Sequence, residues 1–107
     1  MNPVASLTRT FPADADALYA ALEAPADWWG GEPAQLVKGV PGQQLTFRVE
    51  VAGEATRAML VLSPGGPSPK DGTQLQVLHT RFVSAADRDA HAALWEARLD
   101  RLAALLG

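Results

Sequence analysis

The sequence predicts an α+β domain in which a curved antiparallel sheet holds one long C-terminal helix. Three observations carry that expectation. Residues 84–106 repeat apolar side chains at a helical period, and residues 45–51 alternate at the period of a strand. The strand-like segments between residues 34 and 82 are separated by short Pro- and Gly-containing turns.

Residues 4–11 form the first expected strand, with Ala5, Leu7 and Phe11 on one side and Val4, Ser6, Thr8 and Thr10 on the other. Arg9 interrupts the apolar side, which suits an edge strand or a charge kept for a purpose, and Pro12 ends the run. Asp14 then caps a short helix reaching to about Ala24, with Leu18, Tyr19 and Leu22 as its buried stripe. Pro25 breaks that helix and opens a second brief one through Asp27, Trp28 and Trp29. Two adjacent indoles cannot both point inward from one helical turn, so one is expected in the core and the other over or beside something.

Residues 34–40 make a weak strand. The Val40-Pro41-Gly42-Gln43 run is a type II turn signal, because proline presets the first central position and glycine permits the positive φ of the second. After it Leu45, Phe47, Val49 and Val51 alternate with Thr46, Arg48 and Glu50. Gly53 reverses the chain into residues 55–63, where Met59 and Val61 alternate with Leu60 and Leu62 so that both faces read as covered. Residues 63–72 are a Pro- and Gly-rich loop without a core, and residues 73–82 form the last strand, with Leu75, Val77 and His79 on one face.

The C-terminal helix follows from its cap and its stripe. The Ser84 hydroxyl can accept from an unpaired first-turn amide, and Asp87 suits the positive end of the dipole. His91, Trp95, Leu99, Leu102 and Leu106 recur at steps of four, four, three and four; Leu94 and Leu105 widen that face, and Arg88, Glu96, Arg98, Asp100 and Arg101 fall elsewhere. The element would be roughly 34 Å long, so the sheet must curve around it.

With 107 residues, 48% of them hydrophobic and 20% charged, residues 1–107 read as one globular domain. A net charge of −3 gives no electrostatic footprint for nucleic acid or an anionic membrane. Without cysteine there is neither a disulfide nor a thiolate metal site. No signal-peptide pattern and no apolar run of about 18 residues occurs, so a cytoplasmic protein without membrane attachment is expected. Gly30-Gly31 lacks the spacing of a phosphate-cradling loop, and no Ser-His-Asp order or cysteine nucleophile is readable.

Taken together, Pro12-Ala13-Asp14 through Leu18-Tyr19-Ala20-Ala21-Leu22, then Trp28-Trp29, Pro41-Gly42 before Leu45-Thr46-Phe47, Gly72-Thr73-Gln74-Leu75 with His79, and His91 to Trp95 with Leu99-Asp100-Arg101-Leu102 resemble the START-like (SRPBCC) superfamily. Within it the chain is most similar to the bacterial homologues of the activator of heat-shock chaperone ATPase, over nearly its whole length. The resemblance implies a helix-grip fold: a curved antiparallel sheet, two short N-terminal helices and a long C-terminal helix in the concavity. Two departures stand out. The region from 45 to 72 is too short for the family's extra strands, and Leu94 stands where glycine is common before the helix tryptophan. Both imply a small cavity, or an open one completed by a second copy.

The same resemblance places a ligand site between sheet and helix. Tyr19, Trp28, Trp29 and Trp95, with Phe47, would line it and recognise a small hydrophobic, ring-containing molecule. His79 and His91 would face the same space, where a pair of histidines has the right chemistry for acid–base work. A cyclase- or hydrolase-like enzyme using them, with Tyr19 or Arg9 in support, is therefore the alternative to a non-catalytic binding domain. A chaperone-related or homodimeric interaction protein is the second alternative. Asp87 and His91 lie one turn apart, but no third ligand is specified, so neither a metal nor a cofactor is expected. Arg9 and Arg81 interrupt apolar phases and either could hold a ligand carboxylate, whereas Arg48 alternates toward solvent.

Overall fold

The computed structural model describes residues 4–24, 27–29, 34–51, 53–82 and 84–106. Five strands, β1 (Ala5–Phe11), β2 (Ala34–Val40), β3 (Gln44–Val51), β4 (Glu54–Pro64) and β5 (Thr73–Thr80), form one antiparallel sheet in the order β1-β5-β4-β3-β2. Two α-helices, α1 (Ala15–Leu22) and α2 (Ala85–Leu106), complete the described elements, together with a short 3-10 helix, Pro69–Asp71, in the loop before β5. The chain thus leaves β1 at one edge, runs through α1 and re-enters at the opposite edge as β2. From there a meander brings β5 back beside β1.

Local chemistry accounts for the element ends. Asp14 caps α1 by accepting from the Ala17 amide at 2.7 Å. Ser84 accepts from the Asp87 amide at 3.1 Å to start α2. The turn between β2 and β3 closes through Gln43 N–H to the Val40 carbonyl at 2.9 Å, with Gly42 at φ 72°. Ser68 and Asp71 form a reciprocal capping box in the Pro- and Gly-rich loop before β5.

Alternation decides which side chains face the helix. On β3 the inward set is Leu45, Phe47, Val49 and Val51; on β4 it is Thr56, Ala58, Leu60 and Leu62; on β5 it is Thr73, Leu75, Val77 and His79. Register aligns these into rows, one of which runs Leu36, Phe47, Ala58, His79 and Ala5 across the whole sheet. The core therefore lies on the concave face, under α1 and α2.

Five sequence expectations change. Among the described residues there is one N-terminal α-helix, not two. The second was expected at residues 25–29: Pro25 and Ala26 lie outside the described residues, Asp27 is in a 3-10 turn with its N–H on the Ala24 carbonyl at 3.2 Å, and Trp28 and Trp29, after it, are not helical. Because they are not, both indoles enter the core, at 1% and 4% exposure. Leu94 and Leu105 stay exposed on α2, so Leu94 stands outside the grip and cannot narrow it. Arg98, expected to face away, is fully buried. Met59 and Val61 remain only half-buried on the convex face, so that side of β4 is not covered as Leu60 and Leu62 are.

Candidate functional site

The concave face brings all seven expected ligand residues inside. Tyr19, Trp28, Trp29, Phe47, His79, His91 and Trp95 are all buried. Trp28, Trp29, Phe47 and Trp95 form one aromatic cluster, with Trp29 edge-on to Trp95 at 5.0 Å between centroids and to Trp28 at 5.4 Å. His79, His91 and Phe82 continue it, His79 lying 5.3 Å from His91 and 4.3 Å from Phe82. Tyr19 stands apart, on α1, with its hydroxyl where a side chain on Gly39 of β2 would sit.

The cluster is tied down by polar contacts at its rim. Trp28 Nε1 donates to the Ala21 carbonyl at 3.0 Å, in the last turn of α1. The Trp29 carbonyl accepts from Arg98 Nε at 2.9 Å and from Arg101 at 3.3 Å, both on α2. The Arg98 guanidinium lies 4.1 Å from the Trp29 ring centroid and 4.9 Å from that of Trp95, a cation–π arrangement inside the core.

His79 sits in a directed chain of hydrogen bonds. Trp95 Nε1 donates to His79 Nδ1 at 3.0 Å; an indole nitrogen can only donate, so Nδ1 carries the lone pair and the proton is on Nε2. Nε2–H then donates to Thr56 Oγ1 at 2.7 Å, and the Thr56 hydroxyl donates to the Val49 carbonyl at 2.7 Å. Burial, with further contributions from the charges of His91 and Arg98, lowers the His79 pKa from 6.5 to about 3. His79 is neutral at neutral pH, and both its nitrogens are engaged within the protein.

The other charges noted in the sequence lie elsewhere. Arg9 reaches across from β1 to α2, 2.8 Å from Asp100 and 3.1 Å from Glu96, as a half-exposed strap on the helix. Arg81 is exposed at the end of β5. Among the described residues no group of three or more His, Asp or Glu side chains comes together as a metal site. No described helix is long and apolar enough to cross a membrane.

Sequence reasoning missed Thr56 and Arg98. The spacing of Arg98 from His91 and Trp95, seven and three residues, did place it on the buried stripe; its charge argued the other way. A cleft of about 790 Å³ also opens at the far end of the concave face, between Asp14 and Ala15, the Gly42-Gln43 turn, Leu62 and Thr73. None of the seven aromatic and histidine residues lines it.

No family model and no curated protein matches the sequence. Solved structures do match. The protein MLL2253 of Mesorhizobium loti superposes with a TM-score of 0.77 at 18% identity, covering 97% of this chain and 96% of that one. The Aha1 dimer of Colwellia psychrerythraea gives a TM-score of 0.76 at 16% identity over 97% and 96% of the two chains. The AHSA1 protein of Silicibacter pomeroyi gives 0.74 at 18% identity over 97% of both. The chain has the helix-grip fold that the Aha1-like proteins share.

Proposed function

We propose that this protein is a binding domain for a small, largely apolar, ring-containing molecule held between the sheet and α2, without chemistry on that molecule. Tyr19, Trp28, Trp29, Phe47, His79, His91 and Trp95 are the surface the ligand meets. The observation that supports this reading is Arg98, a fully buried guanidinium lying against two indole faces. A buried charge carries a desolvation penalty that a well-packed apolar side chain of similar volume would avoid, so stability alone does not explain it. Beside a ligand, the same group supplies the one polar contact that fixes orientation in an apolar site. The protein's own rings occupy the space in the unliganded form. The ligand is therefore admitted by a shift of the Trp29 ring, which stays against it while α2 holds the segment by its carbonyl.

A neutral fluorescent probe, N-phenyl-1-naphthylamine, tests the idea. Saturable quenching of tryptophan emission and a rise in melting temperature are expected, and Trp29→Ala should change the affinity. Binding that Trp29→Ala leaves unchanged would put the probe in the cleft beside Leu62, which no tryptophan lines, and the interior site would be rejected.

The acid–base alternative gains no support from His79, whose nitrogens are both bonded and whose pKa is about 3. A second reading, self-association, is favoured by the outer edge of β2, where Leu36 and Val37 are exposed. A structural neighbour, the Colwellia Aha1, was solved as a dimer. Sedimentation that returns only monomer at high micromolar concentration would remove this reading.

A further inference from the structure

On the opposite side of the sheet from the aromatic cluster, three arginines are gathered, none of them in an ion pair among the described residues, although Glu50 lies beside Arg48. Arg48 on β3 is directly opposite Arg57 on β4, and Arg57 is opposite Thr80 on β5, the residue before Arg81. All three arginines are exposed. Side chains paired this way across antiparallel strands stand about 5 Å apart at Cβ, and like charges so placed repel. Acidic residues are not scarce: the chain has 12 against nine Lys and Arg. Yet the ion pairs among the described residues join Arg9 to Glu96 and Asp100, and Arg88 to Asp89. None of Arg48, Arg57 and Arg81 is in one.

Shape agrees with charge. Arg48, Arg57 and Arg81 line a cleft of about 380 Å³ together with Val37, Phe47, Ala55 and Thr56. Arg81 is the one non-glycine among the described residues with positive φ, at 70°, a left-handed conformation that L residues seldom adopt. That conformation ends β5 beside the other two arginines.

We propose that this cleft binds the phosphate group of a small organic phosphate. Arg48 and Arg57 supply forked N–H donors, Arg81 closes the side at the end of β5, and Val37 packs on the organic part. Guanidinium groups suit a phosphate because their planar donors match its oxygens in pairs. Its arginines lie on the other face of the sheet from the interior site, with which the cleft shares Phe47 alone of the seven interior residues.

The arginine Nε–H resonances, followed at low ionic strength, provide the test. With phenyl phosphate as probe, saturable shifts are expected at Arg48, Arg57 and Arg81 and none at Arg88 or Arg101. Phenyl phosphate should bind several-fold more tightly than inorganic phosphate, because only the former reaches Val37. Arg57→Gln should weaken phenyl phosphate at least tenfold while melting no lower than the parent, because it removes the repulsion with Arg48. Arg48→Gln should repeat that pattern. Tryptophan quenching by N-phenyl-1-naphthylamine should be the same in both variants, which separates failure here from failure of the interior site. Equal, non-saturating shifts at every arginine, or unchanged affinity in Arg57→Gln, would overturn the proposal. So would co-sedimentation with phosphatidylglycerol vesicles in the absence of saturable phenyl phosphate binding, which would assign the arginines to a lipid surface.

Discussion

Lowering the pH from 7 to 4 protonates His79 in the unfolded chain but not in the folded one. The folded pKa is about 3 and the unfolded one near 6.5, so above pH 6.5 both states are neutral and stability is at its full value. Below pH 6.5 the unfolded state takes up a proton that the native state refuses, and stability falls by about 1.4 kcal/mol per pH unit until pH 3 is approached. Burial is the main cause, and the charges of His91 and Arg98 add to it. His79→Gln keeps a polar side chain in the relay and cannot titrate. Urea denaturation at pH 7, 6, 5 and 4 should show a smaller loss of stability on acidification for this variant than for the parent. Parallel curves would mean that His79 titrates alike in both states.

At the scale of elements, the joint between β1 and β5 tolerates little change. Gly72 has φ 76° and ψ −154°, a combination open essentially to glycine alone. A Cβ there would also run into the Phe11 carbonyl of β1. Gly72→Ala should therefore cost about 2 kcal/mol or more in urea denaturation, because backbone rather than a flexible side chain must move. Most elements were legible because each rests on a local signal. The alternation of Leu45, Phe47, Val49 and Val51 marks β3, Pro41-Gly42 marks its turn, and Ser84 marks the start of α2. The candidate site was legible only in part. Which strand neighbours meet depends on register, so nothing near Thr56 in the sequence announces His79, and nothing near Arg48 announces Arg57. Arg98 was misplaced because charge was weighed above spacing. Trp28 and Trp29 were misplaced because a helical turn was assumed where the chain had already left one.

For the molecule as a whole, the two edges of the sheet differ. The sheet ends at β2, whose Leu36 and Val37 are exposed, while the other edge strand, β1, is strapped to α2 by Arg9. If two copies pair along β2, Val37→Lys should return the protein to monomer in sedimentation without lowering its melting temperature by more than a few degrees. A variant that still dimerises would place the contact elsewhere. A different property follows from the relay through Trp95, His79, Thr56 and Val49. Its indole proton is buried and held by a single acceptor, His79 Nδ1, so it can be traded for deuterium only when α2 lifts from the sheet. The molecule thereby carries its own clock: the lifetime of one proton on Trp95 measures how often the grip lets go.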